Sequence, residues 1–117
     1  MKIKECPSLR LARQVVNLIQ LPSRIAKECS IESWSNCREQ GLHVSRYGGV
    51  NLRRAVNVSE ARSSDQIFVC YGDSREFNHQ THQESEAIWQ HQKKYFDRDA
   101  RFEAAKWIAG YLETGKV

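Results

Sequence analysis

Proline is scarce in this chain, 2 in 117 residues, and no stretch is so polar or so repetitive that it must stay unfolded. No apolar run approaches the roughly 20 residues that a bilayer-spanning helix needs. In the first twenty residues Arg10, Arg13 and Asn17 interrupt what would have to be the continuous apolar core of a signal peptide. The expectation is a soluble protein of the cytoplasm. A glycine-rich phosphate loop is missing, as is any close-spaced pair of cysteines. Cys6, Cys29, Cys37 and Cys70 stand singly beside apolar stretches, and two disulfides among them would allow three pairings. Buried free thiols are the expected state. His79, His82 and His91 form no paired, close-spaced ligand set with these cysteines, so no metal and no cofactor are expected.

Charge is present in quantity and is unevenly placed. The formal net charge is +4, but residues 1–58 hold ten Lys/Arg against four Asp/Glu, whereas residues 59–117 hold eight against ten. A positive half attracts polyanions and acidic protein faces. The length suits one domain spanning residues 1–117, since two would each be near the size at which a core becomes marginal. The charge shift near Ser59 marks a division into a basic helix-hairpin lobe, residues 1–58, and a strand-helix-helix lobe, residues 59–117.

Hydrophobic periodicity predicts the elements. After Pro7-Ser8, Leu11, Val15 and Leu18, flanked by Ala12, Val16 and Ile19, recur at helical spacing. Pro22 breaks that helix and suits the start of the next. "PSRIAKECSIESWSNCREQG" reads as one helix or as two short ones divided near Ser30, closed by Gly41 as a left-handed cap. The period then changes to two. "LHVSRY" and "VNLRRAVNV" around Gly48-Gly49 read as a hairpin, with Val50, Leu52, Val56 and Val58 on one face and Arg54 intruding among them. "QIFVCY" is a third strand, apolar on both faces. "ESEAIWQHQKKYF" and "ARFEAAKWIAGYL" read as a helix pair, with Ile88, Trp89, Gln92 and Phe96 along one side of the first. Phe102, Ala105, Ile108, Ala109 and Leu112 line one side of the second. The predicted class is α+β: a three-stranded antiparallel sheet flanked by N-terminal helices and a C-terminal helix pair.

Three local patterns bear on function. "IFVCYGDSREF" resembles the nucleophile block of the GDSL-type esterases, with Ser74 as the hydroxyl, but that family needs a histidine near its C-terminus and none follows His91. Gly72-Asp73-Ser74 therefore reads as a turn that ends a strand, and no catalytic residue is assigned. "CREQGLHVSRYGG" resembles the junction between recognition helix and wing in winged-helix DNA-binding modules, a likeness that covers residues 8 to about 58. It would place Ser33, Ser35, Asn36 and Arg38 in the major groove and Arg46, Arg53 and Arg54 on or beside the wing. Glu28, Glu32 and Glu39 on the same segment would then face phosphates.

The half from Gln66 to Leu112 is similar in size and layout to the strand-then-helix-pair modules of phage and plasmid accessory proteins, including anti-CRISPR inhibitors of host defence. That resemblance implies a non-enzymatic inhibitor in the host-cell cytoplasm that docks on a nucleic-acid-handling complex and acts by occlusion. Its expected contact residues are Trp34, Arg38, Arg46, Arg53 and Arg54, and its partner a nucleoprotein or protein complex, with duplex DNA as a further candidate. The alternative is a winged-helix-like transcriptional regulator that reads duplex DNA.

Overall fold

The computed structural model describes residues 7–35, 40–48, 52–60, 66–74 and 92–117. Helix α1, Pro7–Asn17, follows the expected pattern. Leu11, Ala12, Val15 and Val16 are buried, while Arg10, Arg13, Gln14 and Asn17 face outward. Pro22 precedes a single turn, α2 (Ser23–Ala26), as its N-cap, and its carbonyl accepts the N–H groups of Ile25 and Ala26, both at 2.9 Å.

The predicted second helix ends there. Cys29–Ser35 is a strand, β1, paired antiparallel with β2, Gln40–Gly48. Gly41, expected as a helix cap, lies inside β2 opposite Trp34. The hairpin predicted next is present: β2 pairs with β3, Leu52–Glu60, from Gly41↔Ser59 to Gly48↔Leu52. Ser59 is thus a residue within β3, and the sheet continues through the point where the charge balance shifts.

Strand β4, Gln66–Ser74, runs through the Gly72-Asp73-Ser74 sequence instead of ending before it. It pairs with β3 on one side and β5, Gln92–Asp97, on the other. Residues 92–96 were expected at the end of a helix and are strand instead; the second helix expected is present as α3, Arg101–Thr114. Ile88, Trp89 and the three histidines of the 79–91 segment lie outside the described residues. The sheet has five strands instead of three, in the order β1-β2-β3-β4-β5.

Alternation of side chains divides the sheet into two faces. Leu42, Val44, Val56, Val58, Ile67 and Val69 point to one face and meet the buried residues of α1 and α3. On α3 these are Ala104, Ala105, Ile108, Tyr111 and Leu112. Phe102, predicted for that stripe, is 75% exposed, and Tyr111 takes the inward position instead. Trp107 packs at the margin, stacked on Tyr111 with centroids 5.4 Å apart and edge-on to Tyr71 at 4.8 Å. Among the described residues no helix lies on the opposite face. No helix among them is long and apolar enough to cross a membrane.

Candidate functional site

The strand parity sends the expected contact residues to opposite sides of the sheet. Arg46 and Arg54 are cross-strand partners on the helical face, 9% and 5% exposed. The last turn of a helix leaves carbonyls without intrahelical donors and carries partial negative charge. These two guanidiniums meet that end of α3. Arg46 Nη1 donates to the carbonyls of Leu112 at 2.7 Å and Glu113 at 2.9 Å, and its Nε donates to Glu28 Oε2 at 3.2 Å. Arg54 Nη1 donates to the same Leu112 carbonyl at 3.0 Å and its guanidinium lies 5.8 Å from the Tyr111 ring centroid. Both arginines fasten α3 to the sheet. Arg38 lies outside the described residues.

The same corner has a titrating group. Burial, reinforced by the nearby Asp73 carboxylate, pushes the Tyr111 phenol up to about 12, with Arg54 acting in the opposite sense. A phenol whose folded value exceeds its unfolded value of about 10 favours folding fully below pH 10, and this contribution is lost as pH rises toward 12. Thermal melts between pH 9.5 and 12 should therefore fall steeply for the native chain. Tyr111→Phe should flatten that fall, and a fall of equal steepness in the variant would assign it to other groups.

On the face opposite the helices, called open because no described helix covers it although Ser45, Ala55 and Ser59 on it are buried, one row of residues crosses every strand. The registers align Trp34 with Gly41, Gly41 with Ser59, Ser59 with Phe68, and Phe68 with Tyr95. Large rings therefore stand at both ends of the row and small residues in its middle. A Cβ on Gly41 would lie 2.8 Å from Trp34 Cζ2, so the indole reaches over β2 across a position that only glycine leaves open. Phe68 and Tyr95 meet edge to face with centroids 4.8 Å apart. Between the indole and that pair lies a cavity of about 400 Å³, with Ser59 in its lining.

The next row carries the polar groups. It runs from Glu32 through His43, Asn57 and Cys70 to Lys93, and Asn57, Cys70 and Lys93 also line the cavity. Asn57 Oδ1 bonds to His43 Nδ1. His43 Nε2 lies 3.4 Å from Arg53 Nη2, a nitrogen that can only donate. Both contacts are satisfied by the neutral histidine whose proton is on Nδ1. Asn57 accepts that proton through its carbonyl oxygen, which leaves its amide N–H groups as donors. Arg53 is held in turn by Tyr47, whose hydroxyl accepts from Nε at 3.1 Å and whose ring lies 5.6 Å from the guanidinium. A connected chain, Tyr47 to Arg53 to His43 to Asn57, thus runs along the open face to the cavity.

Trp34 and Arg53, both expected in the site, share this face. Trp34 is half-buried, and its indole Nε1 is buried with no hydrogen-bond partner. Cys29 and Cys70 are both half-buried; burial pushes the Cys29 thiol up, against the lowering effect of Arg46. Sequence reasoning assigned no site role to Gly41, Asn57, Ser59, Phe68, Lys93 or Tyr95. Their signal was the polar half of each alternating strand, including the "QKKYFD" alternation of β5. Comparison with protein-family models, curated proteins and solved structures finds no match to this chain.

Proposed function

We propose that this chain is a non-enzymatic binding protein that lays the open face of its sheet on a nucleic-acid-handling complex and acts by occlusion. The observation that carries the reading is the cross-sheet row of rings on the open face: Trp34, Phe68 and Tyr95 beside Lys93. Large rings there, around a cavity, are the residue types that dominate binding energy at interfaces. The basic balance of the chain favours encounter with polyanionic assemblies. The duplex-reading alternative placed a recognition helix over residues that include 29–35, and these form β1; the reading preferred here uses the sheet itself.

The test is inhibition. The purified chain is added to DNA-cleavage reactions of a panel of RNA-guided nucleases, before or after loading of target. Inhibition that depends on order of addition is expected, and Tyr95→Ala combined with Lys93→Glu should raise the half-inhibitory concentration at least about tenfold. Arg10→Ala, on the exposed side of α1, should leave it unchanged. Absence of inhibition across the panel, or equal inhibition by the double variant, would contradict the reading.

A further inference from the structure

We infer that the cavity on the open face receives an unpaired base of a single-stranded nucleic acid; this rests on the reading above and names what the face recognises. Three strand spacings of about 4.8 Å each, roughly 14 Å, separate the β1 and β4 ends of the Trp34–Phe68 row. The Trp34 indole covers the β2 position, and the cavity lies between it and the Phe68–Tyr95 pair with Ser59, 5% exposed, in its lining. A volume of about 400 Å³ lies low in the range of roughly 300–1,000 Å³ typical of small-molecule sites. It suits one flat heterocycle with its sugar.

The chemistry of the lining suits a base better than an aliphatic side chain. Rings flank the opening, and every nucleobase has a π-face to stack on them. Hydrogen-bonding groups stand between the rings: the Ser59 hydroxyl and the Asn57 amide, whose donors are set free by the His43 contact to its oxygen. A base edge presents acceptors and donors in one plane, whereas a leucine or valine from a protein partner would leave both groups unsatisfied.

Charge supports a polyanion at the same place. Lys93 lines the cavity and Arg53 lies on the same face, four residues along β3 from Asn57 with Ala55 between them. The carboxylates of Glu32 and Asp97 are on the outer strands of this face, flanking the row and not within the cavity lining. A backbone can cross Lys93 while its base enters between the rings. Base-paired duplex cannot offer a ring face without unstacking, so the geometry selects single strands.

The experiment is fluorescence anisotropy of the full chain with labelled ten-residue oligothymidine, ten-residue oligouridine and a ten-base-pair duplex, at 20 and 200 mM salt. Single strands should bind more tightly than duplex, with a shallow salt dependence of about one phosphate contact, a log–log slope near −0.7. Tyr95→Ala should weaken binding by roughly 5- to 100-fold, and Lys93→Glu should weaken it and abolish the salt dependence. Tyr95 is 51% exposed, so its loss leaves the fold intact, which a thermal melt verifies. The ratio between the two sugars tells whether RNA or DNA is preferred. No binding of either single strand at 20 mM salt, duplex binding as tight as single-strand binding, or affinity unaltered by Tyr95→Ala overturns the inference. If single strands fail to bind while nuclease inhibition still depends on Tyr95, the occluding face stands and its ligand is protein; if inhibition also fails, both readings fall.

Discussion

Replacing Arg46 by alanine should lower the stability of the chain by about 3 kcal/mol. The guanidinium donates to the carbonyls of Leu112 and Glu113 at 2.7 and 2.9 Å and faces Glu28 at 3.2 Å. Its removal leaves two helix-terminal carbonyls to Arg54, which already serves Leu112 at 3.0 Å, and leaves the Glu28 carboxylate in a partly buried position with its cation gone. Truncating one member of such a group costs more than the pair contributes, because the remaining polar atoms keep their desolvation penalty. Arg46→Lys should recover only part of the loss. An ammonium is a point charge without the planar fork that spans two carbonyls and a carboxylate. Urea unfolding of the three proteins checks this, and an alanine variant within about 0.5 kcal/mol of the native chain would mean that α3 is held by its apolar face alone.

The second large effect is expected at Gly41. A Cβ there would stand 2.8 Å from Trp34 Cζ2 and press on the Val58 carbonyl. Neither obstacle yields easily, one being an indole resting on the strand and the other a backbone group of the neighbouring strand. Gly41→Val should therefore destabilise by about 3 kcal/mol and displace the indole from the end of the cavity. The two consequences separate experimentally. Gly41→Val combined with Trp34→Ala removes the ring obstacle, so part of the lost stability should return while the ring wall stays absent. Full additivity of the two changes in unfolding experiments would show that the indole does not lie over Gly41.

Arg54, which shares the Leu112 carbonyl with Arg46, was legible in the sequence only in part. Strict alternation placed Arg54 among the apolar side chains of β3, where it lies, yet its charge argued for a surface role. What parity could not supply was the partner: the carbonyls of Leu112 and Glu113 are about sixty residues distant in sequence. A helix terminus has no side-chain signature for being capped from afar. The helix α1 and the strands β2, β3 and β4 were legible because each buries a periodic apolar stripe.

The outer strands were not. β1, "CSIESWS", is mostly exposed and gains its form from backbone pairing with β2, a non-local cause that leaves little hydrophobic pattern. Ile25, Cys29 and Trp34 mimic a helical spacing, but Ile25 belongs to the single turn α2 and Cys29 and Trp34 to the edge strand β1. Gly41 was read as a cap because glycine marks both left-handed turns and close approach, and only the position of the indole distinguishes these. β5, "QKKYFD", carries the lysines often found on sheet edges, and the same residues suit a helix equally well. The open-face site depended on these two strands, since Trp34 and Tyr95 stand on β1 and β5. With three strands in view, the row of rings could not be assembled.

The most direct measurement of the central claim, that the open face is the working face, is a proton–nitrogen correlation spectrum of the labelled chain titrated with oligothymidine. The Trp34 indole N–H, buried and without a partner in the free protein, should shift strongly together with the amides of Asn57, Ser59, Phe68 and Tyr95. The indole of Trp107, packed against Tyr71 and Tyr111 on the helical side, should stay in place. Shifts confined to Trp107 and the helices, with Trp34 unmoved, would contradict the account and place the binding surface on the other side of the sheet.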